Sequence, residues 1–123
     1  MSTEDYVSFE TAKLLKEKGF KIPYDSFRGV YINGIFKRLN PGDGYGYNSG
    51  DEIVEVCSLQ TARRWLREVH GLHVGIDPLE GNWCTKIVEL EDLCEVDRGI
   101  ALYGTYEEAA EAGIRYCLEM LIK

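Results

Sequence analysis

No apolar run in this sequence approaches the ~20 residues that a helix needs to cross a bilayer. The opening residues, Met1-Ser2-Thr3-Glu4-Asp5, lack the basic start and apolar stretch of a secretory signal, so a cytoplasmic chain without a membrane role is expected. Cysteine pairs at metal-binding or redox spacing are missing too. Cys57, Cys84, Cys94 and Cys117 are scattered, with no CxxC among them, which disfavours a disulfide framework and points to buried free thiols in a reducing compartment. Positive charge is the other shortage: 14 Lys and Arg stand against 21 Asp and Glu, a net charge of −7. Residues 87–123 hold nine acids and three bases and so carry −6 of that total (3 − 9). This acidity argues against broad nonspecific binding to nucleic acid, where phosphate neutralisation supplies the affinity. It permits a basic partner, or mimicry of nucleic-acid charge, although solubility alone explains it.

What is present describes one folded unit. A length of 123 residues matches the commonest domain size, and 45% apolar with 28% charged residues is a globular balance, so residues 1–123 are expected to form a single domain. Ser8 and Glu10 open a helix over residues 8–18, with Phe9, Ala12 and Leu15 on one face and Gly19-Phe20 closing it. Pro23 then breaks the pattern. Val30-Tyr31-Ile32 and Ile35-Phe36-Lys37 flank Asn33-Gly34, the pair that suits a two-residue hairpin turn needing positive φ twice. A strand over 53–57 leads to a second helix over 59–70, capped by Ser58 and ended by Gly71, with Leu59, Ala62, Trp65, Leu66 and Val69 on its apolar arc. Residues 72–77 and 83–90 read as strands around a turn, and residues 100–103 as a short edge strand. Thr105 and Glu108 form a capping box for the last helix. Its apolar arc runs through Tyr106, Ala110, Gly113, Ile114, Cys117, Leu118 and Leu121, widened by Ala109, Tyr116 and Met120. The expected fold is α+β: an antiparallel sheet of about four to five strands with three helices packed mainly on one face. So broad an arc on the last helix also suggests a homodimer through it.

Residues that could carry function form no catalytic motif. The loop over 40–52 interleaves Gly42, Gly44, Gly46 and Gly50 with Tyr45 and Tyr47, but it lacks the Lys-Ser/Thr of a phosphate-binding loop. Asp43, Asn48, Asp51 and Glu52 miss calcium-loop spacing. Its two tyrosines remain candidates for stacking on a partner. His70 and His73 straddle a helix end and need not converge on a metal, so neither a metal nor a cofactor is expected. Arg63, Arg67 and His70 line one edge of the second helix and make the best basic patch available, with Arg64–Glu68 pairing at i, i+4 as the plain alternative. Trp65 and Trp83 are expected in the core. The carboxylates Glu107, Glu108, Glu111 and Glu119 are expected on the outward face of the last helix, with no catalytic role.

Several segments together resemble a family of small uncharacterised proteins of phages and mobile elements of gut bacteria. They are Tyr6-Val7-Ser8-Phe9-Glu10-Thr11-Ala12, Leu14-Leu15-Lys16-Glu17-Lys18-Gly19-Phe20, Ser58-Leu59-Gln60-Thr61-Ala62, Trp65-Leu66-Arg67-Glu68, His70-Gly71, Tyr106-Glu107-Glu108-Ala109 and Glu111-Ala112-Gly113-Ile114. That resemblance implies no activity. Residues 72–121, ending in Gly104-Thr105-Tyr106-Glu107-Glu108-Ala109, resemble more weakly the HicB antitoxin core, which implies a partly ribonuclease-H-like fold that neutralises a small toxic ribonuclease. The expectation is a non-catalytic binding or regulatory protein of a phage or mobile element, with a protein or nucleic-acid partner met through Arg63, Arg67, His70, Tyr45 and Tyr47. The rivals are a HicB-like antitoxin, an acidic nucleic-acid mimic, and a small enzyme using a Cys or His.

Overall fold

The computed structural model describes residues 6–22, 29–40, 44, 46–96 and 101–122, and each of its α-helices begins on a side-chain cap. Helix α1 (Phe9–Glu17) starts where the Ser8 hydroxyl accepts the Thr11 N–H. It stops where Gly19 takes φ +91° and the Phe20 N–H reaches back to the Leu15 carbonyl. Strands β1 (Gly29–Ile32) and β2 (Ile35–Arg38) join through Asn33 and Gly34 at φ 53° and 84°, and β3 (Ile53–Val56) pairs with the other side of β1. Helix α2 (Leu59–His70) is capped by Ser58 and ended by Gly71 at φ +64°. The hairpin of β4 (Leu72–Leu79) and β5 (Asn82–Glu89) turns on Glu80-Gly81. Pro78, expected in the turn, instead pairs with Trp83, which is tolerated because β4 is an edge strand. Two short strands, β6 (Cys94–Glu95) and β7 (Leu102–Tyr103), also pair with β5. Helix α3 (Tyr106–Tyr116) opens on Thr105, whose hydroxyl accepts the Glu108 N–H, and runs into a π-helical turn, Cys117–Leu121.

The fold is α+β as expected, but its strands divide between two antiparallel sheets, β2-β1-β3 and β4-β5 with β6 and β7. Helix α2 comes between β3 and β4 in the chain and packs against β4. Both sheets feed one hydrophobic cluster, in which Val54 and Val56 of the first meet Val74 and Ile87 of the second through Leu15, Leu66, Ile114 and Leu118. Among the described residues no helix is long and apolar enough to cross a membrane.

Helix α3 explains where its broad apolar arc goes. It lies across β4 and β5 and also touches α1 and α2, so Ala109, Ala110, Gly113, Ile114, Cys117 and Leu118 are all buried within one chain. Only the ends of the arc emerge: Tyr106 is 39% and Met120 65% exposed. Most of the arc that suggested a homodimer is therefore covered by the chain itself, with Tyr116 and Leu121 half-buried. Gly113 sets the closeness of the approach, since a Cβ there would overlap the side chains of Thr85 and Val74. The Thr85 hydroxyl donates to the Ala109 carbonyl at 2.6 Å in the same seam.

Three further expectations are corrected. Glu111 does not face outward; its carboxylate receives the Ser8 N–H (3.3 Å), the Ser8 hydroxyl (2.5 Å) and the Thr11 hydroxyl, and so caps α1 from another helix. That charge, after desolvation, raises the pKa of Tyr31, whose hydroxyl donates to the Val7 carbonyl. Val69, on the last turn of α2 before the chain reverses at Gly71, is 62% exposed and outside the core. Both tryptophans are half-buried: Trp65 packs against the core beside Phe20, whereas Trp83 lies outside it and stands edge-on to Tyr106 at 5.4 Å.

Candidate functional site

After the Gly71 reversal β4 runs back along α2, which brings His73 and Val74 beside the helix face that carries Gln60, Arg63, Arg64 and Arg67. These residues recur at i, i+3, i+4 and i+7, so one helical face presents all three arginines. The start of α3 supplies Tyr106 and Glu107 as the third wall. The result is a groove of about 530 Å³.

Arg63 is fixed within it. Its Nε and Nη2 donate to the Val74 carbonyl at 3.0 and 2.7 Å, and its Nη1 donates to the Tyr106 hydroxyl at 2.8 Å. This one side chain therefore ties α2 to the edge strand β4 and to α3. Arg64 and Arg67 are exposed. The expected Arg64–Glu68 pair does not form; Glu68 lies 3.8 Å from Arg67 instead, an exposed contact of little energetic weight. Chemically the groove offers guanidinium donors, which suit carboxylate or phosphate oxygens, next to an aromatic ring.

The structure brings Arg63 and Arg67 together as expected but not His70. The His70 ring packs edge-on to Trp65 at 4.7 Å, and its Nε2 is buried without a hydrogen bond. Sequence reasoning missed four lining residues, Arg64, His73, Tyr106 and Glu107. The i, i+3, i+4 spacing of the arginines was the available signal for the first; the others meet α2 only through tertiary structure.

Tyr47 lies elsewhere, on an apolar cavity of about 640 Å³ between α1 and β3 lined also by Leu15, Phe20, Ile53 and Cys57, and Tyr45 falls outside the described residues. The end of the Gly-Tyr loop is anchored: Asp51 accepts the Asn48 N–H at 2.7 Å and the Asn33 side-chain amide at 3.0 Å. Those two bonds, in that order, lower its pKa. The loop thus closes onto the Asn33-Gly34 turn.

The four cysteine thiols are not bonded to one another. The expected burial holds for Cys57 and Cys117 only: Cys84 is half-buried, and Cys94, at the start of the short edge strand β6, is exposed with its thiol pushed up chiefly by the Asp92 carboxylate. A raised thiol pKa leaves less of the nucleophilic thiolate at neutral pH. Among the described residues no three His, Cys, Asp or Glu side chains converge as metal ligands.

No protein-family model, curated protein or solved structure matches this chain.

Proposed function

We propose that this chain is a non-catalytic binding or regulatory protein of a phage or mobile element, acting in the cytoplasm, and that it meets an anionic partner in the α2 groove. The observation that carries this reading is three arginines on one helix face of a chain whose net charge is −7. Among the described residues, only Arg67 of these arginines has a carboxylate within reach, Glu68 at 3.8 Å, whereas Lys13 and Arg115 meet Glu52 and Glu119 at 3.2 Å. The groove holds one histidine, His73, but no cysteine, and its Ser58 hydroxyl is used in capping α2, which favours binding over nucleophilic catalysis. Arginine and tyrosine are also the residue types that dominate interface energetics.

The test is capture of a partner from the host cell, compared with an Arg64→Glu, Arg67→Glu variant. Both positions are exposed, so the variant should keep the parent's melting temperature and lose the partner. Arg63 is unsuitable because its loss would also loosen α2 from β4. Equal capture by parent and variant would leave the arginine face as a solvated surface.

One observation favours the antitoxin reading as a second possibility. Leu93, 76% exposed, stands at φ +58° in a turn flanked by Glu89, Glu91, Asp92 and Glu95. Such a surface complements a small basic protein. Co-purification with a basic toxin encoded next to this chain, lost in Leu93→Arg, would support it.

A further inference from the structure

Taking the α2 groove as a binding site, we propose that its ligand is a single nucleotide, held by its phosphates on the arginine face and by its base on Tyr106. The proposal rests on the reading of the groove given above and adds the chemical class of the occupant.

Three features converge. The first is size: about 530 Å³ falls in the range of small-ligand sites, roughly 300–1,000 Å³. The second is a preorganised phosphate clamp. Three of the five guanidinium N–H donors of Arg63 are spent on Val74 and Tyr106, which immobilises the group and leaves two for a ligand. Ordering this side chain on binding therefore costs little entropy. Arg64 and Arg67, exposed on the adjacent positions of the same face, bring further fork-shaped donors to the same phosphates.

The third feature is a fixed ring beside that clamp. Tyr106 is held at its hydroxyl by Arg63 and flanked edge-on by Trp83, yet remains 39% exposed on the groove. A planar base can stack on such a ring, a contact worth about 1–3 kcal/mol per base in single-stranded nucleic-acid sites. Glu107 supplies an acceptor for ribose hydroxyls or an exocyclic amine.

Net charge decides between a free nucleotide and a nucleic-acid strand, which share this chemistry. A chain at −7, with −6 of it in residues 87–123, repels a polyanion over its whole length, whereas a nucleotide meets only the local field of the groove.

The experiment titrates the full-length protein with ATP and with GTP, following tryptophan fluorescence and calorimetry in parallel. Trp83 is 5.4 Å from Tyr106, so stacking there changes its emission, and Trp83→Phe should remove most of the signal while calorimetric binding persists. At least one of the two nucleotides should bind one to one. Arg64→Gln, Arg67→Gln should weaken it about tenfold or more with an unchanged melting temperature, because charge-assisted phosphate contacts are lost. Adenosine or guanosine and inorganic phosphate, each alone, should bind more weakly than the nucleotide. A short oligothymidylate binding more tightly than ATP and GTP would overturn the proposal in favour of a strand. Failure of both nucleotides while the Arg64→Glu, Arg67→Glu variant still loses its captured partner would overturn the nucleotide and leave the groove as a partner site. Failure of both tests would remove the two together.

Discussion

Replacing Glu111 by alanine takes from α3 the carboxylate that braces the N-terminus of α1, while the Ser8 hydroxyl can still accept the Thr11 N–H. Three hydrogen bonds to it are lost, from the Ser8 N–H, from the Ser8 hydroxyl, which keeps the Thr11 hydroxyl oxygen as an acceptor, and from the hydroxyl of Thr11, a residue with no exposed surface. Hydrogen bonds to a charged group contribute about 1.5–3 kcal/mol each, but bonds that share one acceptor do not add. Loss of the carboxylate at the start of α1 costs a further ~0.3–1 kcal/mol. A net destabilisation of about 2–4 kcal/mol follows. At ~2.1 cal/mol/K per residue, 123 residues give an unfolding entropy of about 0.26 kcal/mol/K, so ~3 kcal/mol lowers Tm by about 12 °C. Glu111→Gln keeps an acceptor without the charge and should fall between parent and alanine. Thermal denaturation followed by circular dichroism measures the loss. A second readout separates the electrostatics from packing: NMR titration of the Tyr31 phenol should show its pKa lowered in both variants. It should not return to the ordinary value, since desolvation is the larger cause of the shift. A Glu111→Ala protein that melts within about 2 °C of the parent, the mark of an ordinary surface change, would refute the capping role.

Gly113→Ala should destabilise by about 1–3 kcal/mol despite alanine's better helix propensity, because its methyl overlaps Thr85 and Val74; a rise in Tm would show that the α3 seam has room. Leu118→Glu should unfold the chain rather than dissociate a dimer, since it places an unpaired charge in the core at a cost of several kcal/mol; a folded monomer recovered from a parental dimer would contradict this. Tyr31 keeps its proton to higher pH folded than unfolded, so its contribution is intact below the unfolded value near 10.0 and is lost as pH rises through the folded one. Urea midpoints measured from pH 9 upward should therefore fall more steeply for the parent than for Tyr31→Phe, and parallel curves would refute it.

The elements legible in the sequence are those whose signals are local. Asn33-Gly34 fixes a turn through its own φ values, and Ser8, Ser58 and Thr105 each cap a helix through a residue three positions on. The partition into two sheets was not legible, because the periodicity of a strand says which face is apolar and not which strand it will pair with. Glu111 has the same difficulty: its exposed or capping role depends on α1 arriving 100 residues away in sequence, and its spacing on α3 matches a solvated acid. In the groove, Arg63 and Arg67 could be paired from helical spacing alone. His70 shares that spacing but turns onto Trp65, and His73 takes its place only because β4 doubles back along α2.

The most direct test of the account is a photo-crosslinking amino acid placed at Gln60, an exposed groove position that leaves every arginine intact. Ile35, at the tip of the β1–β2 hairpin and also exposed, serves as the comparison site. Irradiation in the host cell should give a discrete adduct from position 60 and not from position 35, and Arg64→Glu, Arg67→Glu should abolish it. Equal adducts from both positions, or an adduct from position 60 that survives the charge reversal, would contradict the claim that the α2 groove is where this protein meets its partner.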